Sequence, residues 1–320
     1  MSRAPAPPFL SADISLSLTD LSIVIVSWNT RKLLLRCLAA IGPATPGLRV
    51  ETIVVDNASI DGTPQAIRQH FPAVRLIETG QNLGFAAGNN RGLGVAQGRY
   101  LCLLNPDTEA RPGALAALVA HLDAHLYLGA VGPRLLNSDG SEQTVGFRFP
   151  SLAQVALDLF PFGGRFAESR LNGRYPHAPR DRAFPIDFPL GACIVARRAA
   201  VAATGPLDEG YYMYSEEVDW CHRMRTAGWP IACLPTAEVI HHSGQSTSQQ
   251  PARMFYELHR SRRRYFTRHH RRVFAWTAQQ ITRAGMVKEA LVAWRRYRQG
   301  HLTQEQWRER TRACGRVFRL

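Results

Sequence analysis

The sequence contains no long apolar run. No stretch reaches the roughly 18 uncharged apolar residues that a membrane-spanning helix needs, because Asp158 and Asp187 interrupt the two nearest candidates. Residues 1 to 15 also lack the apolar segment of a secretion signal. We therefore expect neither a transmembrane helix nor a signal peptide.

Cysteine is scarce and shows no pattern. The chain has 6 cysteines in 320 residues, with no CxxC pair and no zinc-site spacing. Three of them, Cys102, Cys193 and Cys233, lie inside apolar runs. This usage indicates buried free thiols in a reducing cytosol rather than disulfides.

Most of the chain carries no net charge. The formal charge is +14 at pH 7, yet residues 250 to 320 hold 18 Lys and Arg against 4 Asp and Glu, so the remainder is balanced. With 45% hydrophobic and 20% charged residues, the composition is typical of a folded globular protein. We expect a disordered lead-in rich in Pro, Ala and Ser at 1–19, a neutral domain at 20–248 and a separate basic tail at 249–320.

Strand and helix patterns alternate four times in the first half of the chain. Apolar strands, each followed by a helical pattern, are predicted at 21–29, 50–59, 73–79 and 100–107. The first, second and fourth strands are apolar on both faces, as the strands of a buried parallel sheet must be. We predict a doubly wound α/β domain, with Thr30 capping the first helix and Pro64 in the first turn of the second.

The second half is less regular. A strand and turn are expected at 129–141, a loop-rich insert at 143–182, and a strand running into a helix at 184–201. An amphipathic helix is expected to start at Ser215, and a last strand leads into a turn of His, Gly and Ser at 241–248.

Polar residues follow three of the predicted strands. In doubly wound sheets ligands bind beyond the carboxyl ends of the strands, so these residues should share one edge. They are Trp28 and Asn29, Asp56 and Asn57, and Asn105 and Asp107.

Two features near this edge suit a nucleotide. The carboxylate of Asp56 can accept the imide N–H of a uracil or thymine ring, although a helix N-cap explains this residue equally well. Gly84, Gly88 and Gly92 recur every four residues, which leaves one helix face without side chains. Such a face can approach a phosphate or pack tightly on a neighbour, and it is neither a GxGxxG fingerprint nor a P-loop.

Asp107 and two histidines are candidate cation ligands. Mg²⁺ or Mn²⁺ bound to a diphosphate needs only one or two carboxylates, because the phosphates complete the shell. Asp107, two residues after Asn105, would suffice with one more protein ligand, and a capped turn is the alternative. His241 and His242 follow an apolar strand, where one of them can serve as that ligand.

Three acids crowd the start of the helix that follows Ser215. Glu216, Glu217 and Asp219 favour the positive end of the helix dipole, so capping is the simple explanation. Crowding and burial should also raise the pKa of at least one of them, which suits a general base.

Seven stretches, in this order along residues 21–248, resemble family 2 glycosyltransferases of GT-A fold, especially the rhamnosyltransferase-like members. The stretches are SIVIVSWN, VVDNASIDGT, NLGFAAGNNRG, YLCLLNPDT, GACIVARR, YYMYSEEVDWCHR and HHSGQS.

The resemblance implies roles for the matching residues. Asp107 stands at the metal-binding acid of the family's DxD position, with Asn105 in place of the first acid. Glu217 stands at the catalytic base, where the family usually has Asp, and His241 matches a histidine that helps to hold the metal or diphosphate. The implied sets are Trp28, Asn29, Asp56, Asn57, Asn82, Gly84, Asn89 and Asn105 for the nucleotide, Asp107 and His241 for the metal, and Glu217, Glu216 and Asp219 for catalysis.

The resemblance further implies an inverting transferase with a mixed GT-A sheet flanked by helices. Residues 20–128 would bind the nucleotide, and 129–248 would hold the acceptor and the catalytic acids. The implied cofactor is Mg²⁺ or Mn²⁺, and the implied donor is dTDP-rhamnose or another dTDP- or UDP-sugar. The acceptor would be a cell-surface or lipid-linked glycan, and a non-catalytic sugar-nucleotide binder is the alternative.

The basic tail combines arginines with a stripe of apolar residues at helical spacing. Such a stretch suits an anionic membrane surface, so we expect a cytoplasmic protein held peripherally on the inner face of the membrane. Nucleic-acid binding is less favoured, because the rest of the chain is neutral, and a solvated helix pair is the plain alternative. The stripe comprises Val273, Trp276, Ala284, Val287, Leu291 and Trp294.

Overall fold

The computed structural model describes most of the chain. The described residues are 19–143, 146–161, 166, 169–175, 178–243 and 247–320. The expected disordered lead-in lies outside them except for Thr19, and the turn expected at 241–248 is described only in part.

Nine strands and ten α-helices form within the described residues. In chain order they are β1 Leu21–Ser27, α1 Arg31–Ala44, β2 Val50–Asp56, α2 Thr63–His70, β3 Arg75–Glu78, α3 Phe85–Leu93, β4 Tyr100–Leu104, β5 Thr108–Ala110, α4 Ala114–Ala124, β6 Ala130–Leu136, α5 Leu152–Leu159, β7 Phe184–Ile186, β8 Cys193–Arg197, α6 Arg198–Thr204, α7 Glu216–Thr226, β9 Ile231–His241, α8 Pro251–His269, α9 Arg272–Arg298 and α10 Gln304–Phe318.

All nine strands belong to one mixed sheet. Its order is β3-β2-β1-β4-β8-β6-β9-β5, and β7 pairs with β9 outside this path. The first four strands are parallel, whereas β8 runs antiparallel between β4 and β6. The predicted α/β sheet flanked by helices is confirmed, and its parallel half directs the carboxyl ends of β1, β2 and β4 to one edge.

Helices cover both faces of the sheet, so every residue of β1 and β4 is buried. On one face, α1 presents Leu34, Cys37, Leu38 and Ile41 at helical spacing to a core shared with α4. On the other face, the core includes α3, α7 and all three C-terminal helices. The predicted C-terminal helices are therefore present, and they pack on the α/β domain.

The glycine face of α3 packs against β1. A Cβ atom added to Gly92 would lie 2.4 Å from Cγ1 of Val24, and one added to Gly88 would lie 2.9 Å from Cγ1 of Val26. These distances are shorter than any ordinary contact. Close helix packing therefore explains both glycines, and a phosphate need not be invoked there.

Two predicted caps do not form. Thr30 and Ser215 precede α1 and α7, but neither side chain accepts a hydrogen bond from its helix. The Oγ1 of Thr30 lies 3.0 Å from the Oγ of Ser27 instead, and Ser215 has a left-handed φ of 64°. Pro64 does lie in the first turn of α2, as predicted.

The structure also bears on the predictions made for the cysteines and for membrane-spanning helices. All six cysteines are buried and free, as expected. Among the described residues, no helix has both the length and the apolar character needed to cross a bilayer. Sequence reasoning missed β5, and it missed α5 inside the insert predicted to be loop-rich.

Candidate functional site

A cavity of about 330 Å³ lies where the carboxyl ends of β1 and β4 meet the start of α7. Its wall includes the residues that follow β1 and β4 and the two glutamates at the start of α7. The structure thus brings together residues that are far apart in sequence. The predicted residues that line it are Trp28, Asn57, Asn82, Gly84, Asn105, Asp107, Glu216, Glu217 and His241.

Four predicted residues do not line this cavity. They are Asn29, Asp56, Asn89 and Asp219. Asn89 donates to the Phe85 carbonyl at 2.9 Å within α3. Asn29 accepts from the Ile60 backbone N–H at 2.8 Å and joins the loops that follow β1 and β2. Both amides therefore hold backbone in place.

Asp56 lies at the end of β2, and one of its carboxylate oxygens has no hydrogen-bond partner among the described residues. Its Oδ2 accepts from the Ser59 backbone N–H at 2.9 Å, whereas the buried Oδ1 has no hydrogen-bond partner within the described chain. The side chain is 2% exposed, and burial raises its pKa. An unpaired buried acceptor is costly unless a ligand completes it, so Oδ1 remains a candidate for recognising a base.

Three residues shape the neighbouring wall. Asn57 Nδ2 donates to the Gly84 carbonyl at 3.0 Å, and the Gly84 N–H donates to Asn82 Oδ1 at 3.0 Å. Gly84 has a φ of +83°, and a Cβ there would lie 2.4 Å from the Tyr212 carbonyl oxygen. Only glycine fits both conditions, which fixes a turn beside the loop that leads into α7.

Asp107 and His241 are neighbours because β5 pairs with β9. The antiparallel register places Thr108 opposite His241, and Asp107 Oδ1 lies 3.5 Å from His241 Nε2. His241 Nδ1 lies 3.1 Å from Gln143 Oε1. A hydrogen bond donated there would leave the lone pair of Nε2 facing Asp107.

Both ring nitrogens of His242 form hydrogen-bond contacts with other side chains. Its Nε2 lies 2.6 Å from Glu109 Oε1, and its Nδ1 lies 2.7 Å from Ser138 Oγ. Because both ring nitrogens have partners, the geometry favours His241 over His242 as a cation ligand.

The donor set around Asp107 suits a hard divalent cation only if a ligand adds further oxygens. Asn105 Oδ1 is buried and has no protein partner among the described residues. Within that same part of the chain, no three His, Cys, Asp or Glu side chains gather as a self-sufficient metal site would require. The carboxylate, the amide oxygen and His241 therefore fit a cation whose remaining ligands come from a diphosphate.

Glu216 and Glu217 project into the cavity with raised pKa values. They are 4% and 9% exposed, and Oε2 of each lacks a hydrogen-bond partner in the described structure. Burial raises the pKa of Glu217 to about 7, whereas burial together with the nearby Glu217 raises the pKa of Glu216 well above its usual value. An unpaired carboxylate with a pKa near neutrality is suited to accept a proton.

Asp219 has the opposite environment. Burial alone would raise its pKa, but hydrogen bonds from His269 and Arg223, with Arg268 nearby, lower it. Asp219 Oδ1 lies 2.7 Å from His269 Nε2, and Arg223 Nε donates to Oδ2 at 2.8 Å. A fully buried, ion-paired carboxylate is held in place, and its contacts join α7 to α8.

Helix α8 also holds the loop that precedes α7. Ser261 Oγ donates to the Met213 carbonyl at 2.8 Å, and Arg264 forms three hydrogen bonds with Asp208. Tyr214 and Ser215, which follow Met213 in this loop, both have positive φ, at 69° and 64°. Such conformations persist only where the surroundings enforce them, so α8 supports the backbone that presents Glu216 and Glu217.

Sequence reasoning missed several cavity residues. Gln250 and Met254 come from the start of α8, and Gly191 comes from the loop before β8. The aromatic run YYMY, which supplies Tyr212 and Met213, was visible as a cluster in the sequence. No local signal placed α8 over the cavity, because that contact depends on the tertiary fold.

Comparisons with known proteins first define the class. The mannosyltransferase PcManGT from Pyrobaculum calidifontis, solved with GDP-Man and Mn²⁺, has a TM-score of 0.55 and 15% identity, covering 93% of this chain and 85% of that one. GalNAc-T7, solved with UDP, GalNAc and Mn²⁺, has a TM-score of 0.54 and 17% identity, covering 70% and 43%. The fold is that of the GT-A glycosyltransferases.

The family follows from the sequence comparisons. The family model described as Glycosyl transferase family 2 matches residues 22–204. The N-acetylglucosaminyl-diphospho-decaprenol L-rhamnosyltransferase of Mycobacterium tuberculosis H37Rv is 35% identical over 258 residues, or 76% of this chain and 83% of the relative. Rhamnosyltransferase WbbL of Escherichia coli K12 is 23% identical and covers 55% and 67%. The chain belongs to glycosyl transferase family 2, and it is a rhamnosyltransferase-like glycosyltransferase.

The ion pairs of the buried Asp219 should stabilise the folded protein. Asp219→Asn should lower the free energy of unfolding by about 3–5 kcal/mol, because it removes the fully buried carboxylate charge that pairs with Arg223 and His269. The surface pair of Asp158 with Arg262 offers a control, and Asp158→Asn should cost less than about 1 kcal/mol. Urea denaturation at neutral pH measures both variants. Equal losses would contradict the proposed anchoring of α7 to α8.

Proposed function

We propose that this enzyme transfers a sugar from a nucleoside diphosphate to an acceptor hydroxyl in one displacement, with Glu217 as the general base. The observation that carries the proposal is Glu217 Oε2, which has no hydrogen-bond partner among the described residues. Its carboxyl group has a pKa of about 7 and lies in the same cavity as Asp107 and His241. A base must have a free oxygen toward the substrate and must titrate near the working pH.

The two adjacent glutamates differ in the role that we assign. Glu217 is the base, because its pKa lies near neutrality and it therefore ionises at physiological pH. Burial, and then the nearby Glu217, raise the pKa of Glu216 well above the ordinary value, so we assign Glu216 the neutral form. Because a neutral Glu216 carries no negative charge, it does not repel the charge that Glu217 acquires on ionising.

The donor is a nucleoside diphosphate sugar bound along the β1–β2–β4 edge. The uncommitted Oδ1 of Asp56 is the proposed acceptor for the imide N–H of a pyrimidine. Asn57, Asn82 and Gly84 shape the wall next to it. We propose dTDP-rhamnose as the donor, since relatives at 35% and 23% identity are rhamnosyltransferases by name.

Asp107, His241 and Asn105 are the residues that would hold a divalent cation. Such a cation, Mg²⁺ or Mn²⁺, would supply positive charge next to the diphosphate leaving group. Asp107 and His241 are both nearly buried, at 6% exposure each, so the protein excludes water from this side of the cavity. Glu217 removes the proton of the attacking hydroxyl, and the anomeric configuration inverts.

The acceptor is proposed to be a lipid-linked glycan at an anionic membrane surface. The Mycobacterium tuberculosis relative is named for a diphospho-decaprenol acceptor. The apolar stripe of α9 supports this proposal, because Val273, Trp276, Leu291 and Trp294 are 46–75% exposed on a helix of 27 residues. Arginines flank the stripe, and each basic residue near an anionic surface contributes about 1 kcal/mol. The enzyme would then be peripheral, on the cytoplasmic face.

Glu217→Gln tests the base. Transfer should fall by about 10²–10⁴-fold, whereas donor binding should be unchanged because Gln has the same shape. The matched control Glu216→Gln should keep most of the activity, since that residue is already neutral. Initial rates measured across pH 5.5–9 provide the check, and wild-type turnover should rise with pH through about 7 as Glu217 loses its proton. Undiminished transfer by Glu217→Gln would refute the assignment.

Asp107→Ala tests the cation site without relying on turnover. A thermal-shift series with dTDP-, UDP- and GDP-sugars, with and without Mn²⁺, should show the largest stabilisation of the wild type with dTDP-rhamnose and metal. A ligand at 100 times its Kd stabilises by about 2.7 kcal/mol. Asp107→Ala should lose the metal-dependent part of that shift and keep the metal-independent part. An unchanged metal response would exclude Asp107 as a ligand.

The membrane proposal is tested on α9. Trp276→Ser with Trp294→Ser should weaken binding to vesicles of phosphatidylglycerol and phosphatidylcholine by about tenfold or more, since burying one large apolar side chain is worth about 1.5–3 kcal/mol. Leu126→Ser with Tyr127→Ser removes equally exposed apolar residues on the α4–β6 turn and should have no effect. Co-sedimentation measures both. Similar losses in the two double variants would contradict a specific role for α9.

A further inference from the structure

A second cavity, of about 680 Å³, lies on the insert side of α7. Three arginines line it: Arg148 from the start of the insert, Arg170 from a short 3₁₀ turn at Arg170–Asn172, and Arg225 from α7. The single acid among its lining residues is Asp187, which is ion-paired with Arg225. The cavity therefore carries an excess of positive charge.

Two of these arginines are not neutralised by the protein. Neither Arg148 nor Arg170 has an ion pair with a carboxylate in the described part of the chain. Arg148 lies over the ring of Tyr175, 5.8 Å from its centroid, and Arg225 lies 5.5 Å from the centroid of Phe149. Guanidinium groups held over aromatic rings keep their N–H donors available to a phosphate, which they bind in a bidentate manner.

Helix α7 connects this cavity to the donor site. Glu217 faces the donor cavity from the first turn, whereas His222 and Arg225 line the second cavity farther along. At 1.5 Å rise per residue, these side chains are separated along the helix axis by about 7.5 and 12 Å. The two cavities therefore lie on the same helix, within about 12 Å of each other along its axis.

The second cavity also includes an exposed apolar residue, on an element that leads toward α9. Leu171, which lines the cavity, is 55% exposed. The turn that carries it packs on α5, and α5 packs on α9. Gly285 of α9 lies against Leu159, and Lys288 Nζ donates to the Leu159 carbonyl at 2.7 Å. These contacts place the basic cavity, the exposed Leu171 and the apolar stripe of α9 on adjoining elements.

We propose that this second cavity binds the diphosphate of a lipid-linked acceptor, with the acceptor sugar reaching toward Glu217 and the lipid chain lying along Leu171 and α9. The proposal rests on the transferase function proposed above and adds to it the subsite that recognises the acceptor's anionic group. Arg148 and Arg170 supply the charge-assisted hydrogen bonds.

The test is direct binding of farnesyl diphosphate, a short isoprenoid diphosphate, to the full chain without divalent cation. Isothermal titration calorimetry should give an affinity that falls by about tenfold or more in Arg148→Gln with Arg170→Gln, because two charge-assisted contacts are lost. Both side chains are exposed, so folding should be unaffected. Arg308→Gln with Arg312→Gln on α10 changes the net charge equally and should bind as the wild type does.

Three outcomes would overturn the proposal. Undiminished binding by the Arg148 and Arg170 variant would exclude the subsite. Equal weakening by the α10 variant would show general electrostatic attraction instead. Inorganic pyrophosphate binding as tightly as farnesyl diphosphate, with the same dependence on Arg148 and Arg170, would indicate a site for a free anion and not for a lipid. Because no sugar transfer is measured, failure of the transferase proposal with every donor would leave this result interpretable.

Discussion

The arrangement of the site depends on the buried carboxylate of Asp219. It joins α7 to α8 through His269 and Arg268, it also pairs with Arg223 within α7, and its side chain has zero exposure. The same helix start carries Glu217, whose carboxylate has no such partners. The anchoring of α7, together with the hydrogen bond from Ser261 to Met213, keeps the two positive-φ residues before α7 in their strained conformation. Asp219 thus fixes the position of α7, and Glu217 on the same helix keeps one carboxylate oxygen without a hydrogen-bond partner among the described residues.

The contrast between Glu217 and Asp219 shows how environment separates residues of similar chemistry. Two positions apart on one helix turn, the pKa of Glu217 is raised by burial and the pKa of Asp219 is lowered by its cationic partners. The strands β5 and β9 likewise bring together the proposed cation ligands, Asp107 and His241, which are 134 positions apart in the sequence. Both effects come from tertiary contacts and not from local sequence.

That distinction explains what the sequence could predict. Apolar strands, helical spacing, polar strand ends and the acidic helix start are local patterns, and they predicted the α/β sheet and eight of the cavity's residues. The ninth, Asn82, came only from the resemblance to family 2 glycosyltransferases. The pairing of β5 with β9, the cover provided by α8 and the contacts of Asp219 with Arg268 and His269 are long-range, so no window of sequence contained them. The glycines of α3 show the same limit, because only the neighbouring valines of β1 distinguish helix packing from phosphate binding.

The central claim is a single displacement assisted by one carboxylate, and the stereochemistry of the product tests it most directly. Proton NMR of the first product formed from the preferred sugar nucleotide, recorded before any anomerisation, reports the new glycosidic bond. The account predicts a configuration opposite to that of the donor, because the hydroxyl activated by Glu217 attacks the face away from the diphosphate. Retention of the donor configuration would contradict it.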